Sequence, residues 1–569
     1  MNVKQLPEWI RNRWKAGHSI IWLVTEEPYR CQEAVRAAVD RQNERISKQA
    51  EKVDFWIHDK MCGFYKGKPS IQPLNAGTTS PLRALQIMLG SQKELDDING
   101  RAVTPAGRFE IPQGMNLERD IVFVLKDWNG VLKDDVIVQQ FIKNIVHSNM
   151  HQPGYYRDGQ RGQRMIVLIT PTDEKPKELP ELKPELVPLP DDETLGEALD
   201  NVDVEPKPNA EQRRAIVRMG RGFTYQGFED AVGLASAQYR LDKLEEFLEV
   251  VQSEKSRVFN DLPGVLYIPP EKIQNASDFP GYEPLNQYLD ENLDVDEAWL
   301  AEHAISGVTG LAVLGMPGTG KSQFALALGK RAKRPALIWN LGESQSKWVG
   351  ESQHNARRIL QVAQAVGAVL ILDDLDKAGL NNAAQGNSGN EVTGSVLQMV
   401  LTELALPDNK MIVGFTGNRL GGFPPELLRK GRVNEVCFVD LPDFEIRHQI
   451  LVTKVRQKRF DLTSSDESKL ALLAEDNITD GCSGAELTSF VEDAVRRAGV
   501  TKSKRLDIDW MIEKAKTFTP LSKTPEWAGD LQKMREACKT FMLLGRSQTS
   551  CTSSGSEPSR VQRRSRRDD

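Results

Sequence analysis

The stretch GLAVLGMPGTGKSQF, Gly310 to Phe324, decides the fold. Its first five residues, Gly310 to Leu314, are a continuous apolar run of the kind that forms a strand buried on both faces. Gly315, Met316, Pro317, Gly318, Thr319, Gly320, Lys321 and Ser322 then spell GxxxxGK[ST], and helical spacing follows from Gln323 to Lys333. A strand, a glycine-rich turn and a helix in that order form a phosphate cradle. The glycines let backbone N–H groups curl around the phosphates, and the helix N-terminus, with Gln323 in its first turn, adds positive potential. In this reading Lys321 neutralises the β- and γ-phosphates and the Ser322 hydroxyl ligates Mg²⁺. The expected ligands of this turn are therefore a polyphosphate and Mg²⁺; which nucleotide carries the phosphates the turn alone does not say.

Outward from this turn, Ala336 to Trp339, Ala368 to Leu372 and Met411 to Phe415 are further short apolar runs, and Val436 to Val439 is a candidate fifth. Between them lie helical stretches or loops, the pattern of a parallel sheet covered by helices. The third run ends in Asp373 and Asp374. Some fifty residues after a phosphate cradle, such a pair has a use. Asp373 would hold the metal through its water shell, and Asp374 would orient and deprotonate an attacking water.

A second strand–helix series occupies the first part of the chain. Ile20 to Val24, Val53 to Ile57, Ile121 to Leu125 and Met165 to Ile169 read as strands, with helices from Tyr29 to Val39 and around Val136 to Val146. The turn after the first of these strands is Thr25-Glu26-Glu27-Pro28, which has no glycine and carries two carboxylates. Phosphate would be repelled there, so this series reads as a nucleotide-fold relative that takes no nucleotide. From Pro171 to Pro190 six prolines alternate with acids, predicting an extended linker or surface strap. Helical spacing resumes at Thr194 to Leu199, Ala210 to Met219, Phe228 to Ser236 and Leu241 to Val251, with Thr224 placed to start the third of these helices.

Composition bounds the rest. The 569 residues exceed what one core holds. Charged residues at 27% and hydrophobic ones at 39% describe an ordinary globular chain. The net charge of −6 gives no overall pull toward nucleic acid or anionic membrane. No apolar run approaches a bilayer span, the six cysteines form no CxxC pair, and His147 and His151 lack the glutamate of HExxH. Membrane, secreted and metalloprotease classes are thereby set aside, and a cytoplasmic location is expected, or the stroma if the source bears plastids. The arginines at 560, 563, 564, 566 and 567 lack interleaved aromatics and read as a solvated tail.

Six segments occur in the order found in the AAA ATPases: GMPGTGKS, Lys347-Trp348-Val349-Gly350-Glu351-Ser352, LILDDLD, Phe415-Thr416-Gly417-Asn418-Arg419, Leu428-Arg429-Lys430-Gly431-Arg432 and Gly481-Cys482-Ser483-Gly484-Ala485-Glu486. The chain resembles that family from about Ala276 to Thr519. Its upstream half, with the FTYQGFEDAVGLA segment, is similar to the plastid and cyanobacterial AAA domain-containing family of uncertain role. The resemblance implies an α/β chain with a C-terminal AAA module, made of a parallel sheet plus a helical lid. A degenerate nucleotide-fold domain with its own small helical subdomain would precede it. The expected boundaries are 1–170 for the first sheet, 171–260 for linker and helical subdomain, 261–440 for the ATPase core, 441–525 for the lid and 526–569 for an extension ending in a disordered tail.

The resemblance also assigns roles. Asn418 corresponds to the residue that helps position the lytic water. Arg432 corresponds to an arginine finger reaching a neighbouring subunit's γ-phosphate. Gly484 and Ala485 match the lid segment near the adenine, and Asp278 begins a stretch (DFPG) that matches its backbone contacts. Lys347, Trp348 and Val349 match the loop that grips threaded polypeptide, although a tryptophan packed on its own domain fits as well. Asp374 stands where the family usually has glutamate, Glu435 where many members have a second finger arginine, and Pro280 where a backbone donor is usual. The implied cofactors are ATP and Mg²⁺, and the implied activity is ATP hydrolysis by a homo-oligomer, with six the expected count, that remodels or disassembles an unidentified protein client. An ATP-gated scaffold with little hydrolysis is the alternative, and a nucleic-acid motor the remote one.

Overall fold

A computed structural model describes residues 3–66, 78–89, 111–151, 163–173, 182–273, 280–293, 299, 302–303, 307–341, 352–375, 388–406, 409–419, 423, 427, 433–539 and 541–547. It divides into a unit ending at Val251 and one beginning at Gln252.

In the first unit, strands β1 (Ile20–Val24), β2 (Asp54–Asp59), β3 (Gly63–Tyr65), β4 (Ile121–Lys126), β5 (Arg164–Thr170) and β6 (Pro184–Leu186) form one sheet in the order β3-β2-β4-β5-β1-β6. All neighbours are parallel except the β2–β3 hairpin. The strands are apolar throughout because both faces are covered. Trp22, Phe123, Leu125 and Leu168 pack on one side against the helix Pro81–Leu89 and its neighbours. Leu23, Val122, Val124 and Val167 pack on the other against the helices Leu6–Lys15 and Pro28–Asn43. Part of the proline-rich stretch is extended, and residues 174–181 of it lie outside the described residues. Pro184–Leu186 joins the sheet beside β1, where an edge position tolerates a proline at the first residue.

His58 on β2 is fully enclosed. Its Nδ1 accepts the Trp128 indole N–H (3.2 Å), and its Nε2 faces the Thr78 carbonyl oxygen at 2.8 Å. An indole only donates and a carbonyl only accepts, so the ring is neutral with its proton on Nε2. Burial lowers its pKa to about 4.

Four helices follow: Asp192–Asn201, Ala210–Gly220, Tyr225–Gln238 and Leu244–Asn260. Their apolar stripes meet at Leu195, Leu199, Ile216, Phe228, Phe247 and Val251. Thr224 caps the third helix, accepting the Gly227 N–H at 3.1 Å.

The second unit holds a seven-stranded sheet: β7 (Val265–Ile268), β8 (Gly310–Gly315), β9 (Ala336–Asn340), β10 (Val369–Asp373), β11 (Ile412–Gly417), β12 (Glu435–Val439) and β13 (Met542–Leu544). Its order is β13-β12-β8-β11-β10-β9-β7, and only the β7–β9 pair is antiparallel. Helices Phe444–Gln457, Ser464–Leu473, Gly484–Thr501 and Ile508–Lys516 form a bundle around Leu451, Leu473, Leu487, Val491 and Met511. The chain then returns to the sheet. Helix Pro525–Ala537 leads into β13, which pairs with β12, while Arg535 and Arg546 both bind the buried carboxylate of Asp440. Neither β7 nor β13 stands out in the sequence.

Candidate functional site: a phosphate loop and its carboxylates

The parallel strands of the second sheet carry the motif residues to their C-terminal ends, which is where open α/β sheets bind ligands. β8 runs into the loop Met316 to Gly320, and the helix Lys321–Arg331 begins directly after it, two residues earlier than its sequence spacing indicates. Two glycines bend the loop through left-handed backbone. Gly318 has φ +82° and Gly320 has φ +97°. Gly320 is also the N-cap, so no side chain closes the helix start, and its amide end is left to the loop's interior. Lys321, nearly buried, folds back to donate to the Met316 carbonyl at 2.8 Å, as does the Thr319 hydroxyl at the same distance. Pro317 is part of the turn, and Gln323 is exposed on the helix's first turn.

The carboxylates arrive from the next strands. Ser322 Oγ lies 3.1 and 3.2 Å from the two carboxylate oxygens of Asp373, at the end of β10. Asp374 follows with φ +52°, a left-handed conformation that is unusual for a residue bearing a Cβ. Asn418 Nδ2 donates to its Oδ1 at 3.0 Å. Thr416 on β11, which the motif reading assigned no role, touches both acids. Its hydroxyl donates to Asp373 Oδ1 at 2.5 Å and accepts the Asp374 N–H at 3.0 Å.

From the lid side, Ser483 caps the helix Gly484–Thr501 in a reciprocal box with Glu486. That helix start rests on the phosphate loop. Ala485 N–H donates to the Gly318 carbonyl at 3.0 Å, and a Cβ on Gly318 would stand 2.8 Å from Ser483 Oγ. Tyr282, unremarked in the sequence, reaches the loop from below, its hydroxyl 3.4 Å from the Thr319 carbonyl. Full burial raises that phenol's pKa far above its usual range, so it acts as a neutral donor. Beside it, Gly281 accepts the Gly545 N–H at 2.8 Å.

The structure thus brings together Lys321, Ser322, Asp373, Asp374, Asn418, Gly484 and Ala485. Asp278, Lys347, Trp348, Val349 and Arg432 lie outside the described residues. A hydroxyl and a carboxylate already sharing hydrogen bonds form a hard oxygen donor set, the kind that suits Mg²⁺. A lysine and a glycine-lined helix start suit a polyphosphate.

Residues 311–441 match the ATPase family associated with various cellular activities (AAA), and residues 6–186 match the SpoVK-like AAA ATPase N-terminal domain. The chain is 26% identical to the AAA domain-containing protein ycf46 of Trieres chinensis, over 69% of this chain and 76% of that protein. With ycf46 of Pyropia yezoensis it shares 25% identity over 75% and 85% of the two chains. Protein SAV of Sulfolobus acidocaldarius is 30% identical over 45% of this chain and 32% of its own.

Proposed function

This chain belongs to the AAA ATPases, with a SpoVK-like domain ahead of the ATPase module, and we propose that it hydrolyses ATP at subunit interfaces to remodel a protein partner. The observation that carries this reading is the line of hydrogen bonds from Ser322 through Asp373 and Thr416 to Asp374 and Asn418, beside the loop that bears Lys321.

The backbone amides of Gly318 to Lys321 and the Lys321 ammonium would hold the β- and γ-phosphates, Lys321 exchanging the Met316 carbonyl for phosphate oxygen. Ser322 and Asp373 would hold Mg²⁺, which when bound would offset negative charge on the β- and γ-phosphates. Asp374, aimed by Asn418, takes a proton from water as the water oxygen bonds to the γ-phosphorus. The bond from that phosphorus to the β–γ bridging oxygen breaks, its electron pair stays with ADP, and the proton leaves with phosphate or to solvent. Arg432 would complete the site of a neighbouring copy, making the enzyme an oligomer, with a hexamer the working count. Lys347, Trp348 and Val349 would face the client.

The conformation of Asp374 favours a second reading. A carboxylate one methylene shorter than glutamate, drawn onto Asn418, leaves hydrolysis slow and makes the protein an ATP-gated scaffold. Steady-state turnover measured over protein concentration separates the two. The enzyme reading expects a rate per subunit that rises with assembly and is abolished by both Lys321→Ala and Arg432→Ala. Tight ATP-dependent assembly with negligible turnover, restored by Asp374→Glu, would establish the scaffold instead.

A further inference from the structure

Resting on the ATP-hydrolysis reading, we infer that Thr416 is a positioning residue for the reaction, the group that fixes the Asp374 backbone from which that carboxylate projects. A residue bearing a Cβ in the left-handed region is strained relative to extended or helical backbone and persists only where its surroundings hold it. For Asp374 the holding groups lie on β11 and directly after it. Thr416 Oγ1 accepts its backbone N–H at 3.0 Å, and Asn418 takes hold of its carboxylate at 3.0 Å. One group fixes the backbone of the residue and the other its side chain.

The same hydroxyl does a second thing. Its single proton goes to Asp373 Oδ1 at 2.5 Å, so the oxygen that accepts from Asp374 donates to the metal-side acid. Asp373 thereby has two hydroxyl donors, Ser322 and Thr416, which set the rotation of its carboxylate. Thr416 is fully enclosed, so water cannot stand in for a missing hydroxyl. The metal-side acid and the water-side acid are therefore oriented by one oxygen atom.

Position matters to this argument. Thr416 follows Phe415, whose partner across the sheet is Leu372, so its side chain stands level with the Asp373–Asp374 step. Gly417 then brings the chain to Asn418. A Cβ at Gly417 would lie 2.2 Å from the Phe423 ring, so the threonine cannot be exchanged with the residue that follows it.

The test compares Thr416→Val and Thr416→Ser in the full chain, measuring steady-state ATP turnover and, separately, the affinity for a fluorescent ATP analogue with Mg²⁺. Valine keeps the shape and removes the hydroxyl, while serine keeps the hydroxyl. Thr416→Val should lower kcat on the order of 10- to 100-fold. Nucleotide Kd should stay within about threefold, and Thr416→Ser should recover most of kcat. Should valine fail to fold, Thr416→Ala gives the same comparison without added bulk. Equal kcat in wild type and Thr416→Val overturns this inference alone, as does a loss of affinity that accounts for the whole loss of rate in both variants. No turnover by the wild type overturns the hydrolysis reading and this inference with it.

Discussion

The two sheets of this chain are the same diagram filled with different chemistry. Counting from the strand that precedes the phosphate-loop position, β1-β2-β4-β5-β6 in the first unit and β8-β9-β10-β11-β12 in the second, both sheets run 2-3-4-1-5. Both third strands are followed by a left-handed aspartate, Asp127 at φ +57° and Asp374 at φ +52°. In both units the first turn of a helix brings an amide to the loop after the first strand. In the second, Ala485 donates to the Gly318 carbonyl. In the first, Tyr225 N–H donates to the Glu27 carboxylate, which Arg30 also binds. Glu27 is buried, and burial raises its pKa despite those two partners. The first unit thus carries an anion of its own where the second is built to receive one. A fold keeps its anion seat while two or three loop residues decide whether that seat is open to a ligand.

The sharpest way to break this comparison is to count nucleotides. Calorimetry should find one ATP per chain, and Lys321→Ala should abolish that binding altogether, because the first unit contributes none. A second equivalent in the wild type, or residual binding in the variant, would contradict the parallel drawn at Glu27.

Acid should separate the two units next. His58 titrates near 6.5 when unfolded and near 4 in the fold, so between those values the unfolded chain binds the extra proton. The first unit therefore loses stability as pH falls through that window, by roughly 3 kcal/mol for a difference of 6.5 minus about 4. Glu27 works in the opposite direction, since its raised pKa favours the protonated fold below the unfolded value. The readout is accordingly the difference in pH slope between wild type and His58→Gln, followed by hydrogen exchange in the first sheet. Parallel slopes would remove His58 from the account.

The smallest effect belongs to the internal anion itself. Glu27→Ala leaves the Tyr225 amide and the Arg30 guanidinium without their acceptor, at a cost of about 1–3 kcal/mol. Faster exchange at the start of helix Tyr225–Gln238 would report it, with Glu27→Gln closer to wild type. Unchanged exchange in Glu27→Ala would show that this helix is held by its apolar face alone.

Much of this architecture is legible in the amino-acid order because the strands are covered on both faces and so appear as unbroken apolar runs. Ile121 to Leu125 and Val369 to Leu372 need no partner information to be recognised, and the glycines and lysine of the phosphate loop announce themselves. Edges read less well. Pro184–Leu186 and Met542–Leu544 are three residues long and buy their place by pairing with one neighbour, which no local pattern encodes. Thr416 passes for a β-branched strand filler until β11 is laid against β10. Glu27 reads from sequence as a repellent for phosphate, whereas in the fold its charge turns inward to a helix start.

One consequence follows from β13. Its three residues are translated after the entire lid bundle, yet they cover the flank of β12 and reach the Gly281 carbonyl through Gly545. While the nascent chain still lacks them, the second sheet has a bare parallel flank, whereas every described strand of the first sheet has already been synthesised. Removal of Met542 to Gly545 would therefore disturb the second unit and spare the first.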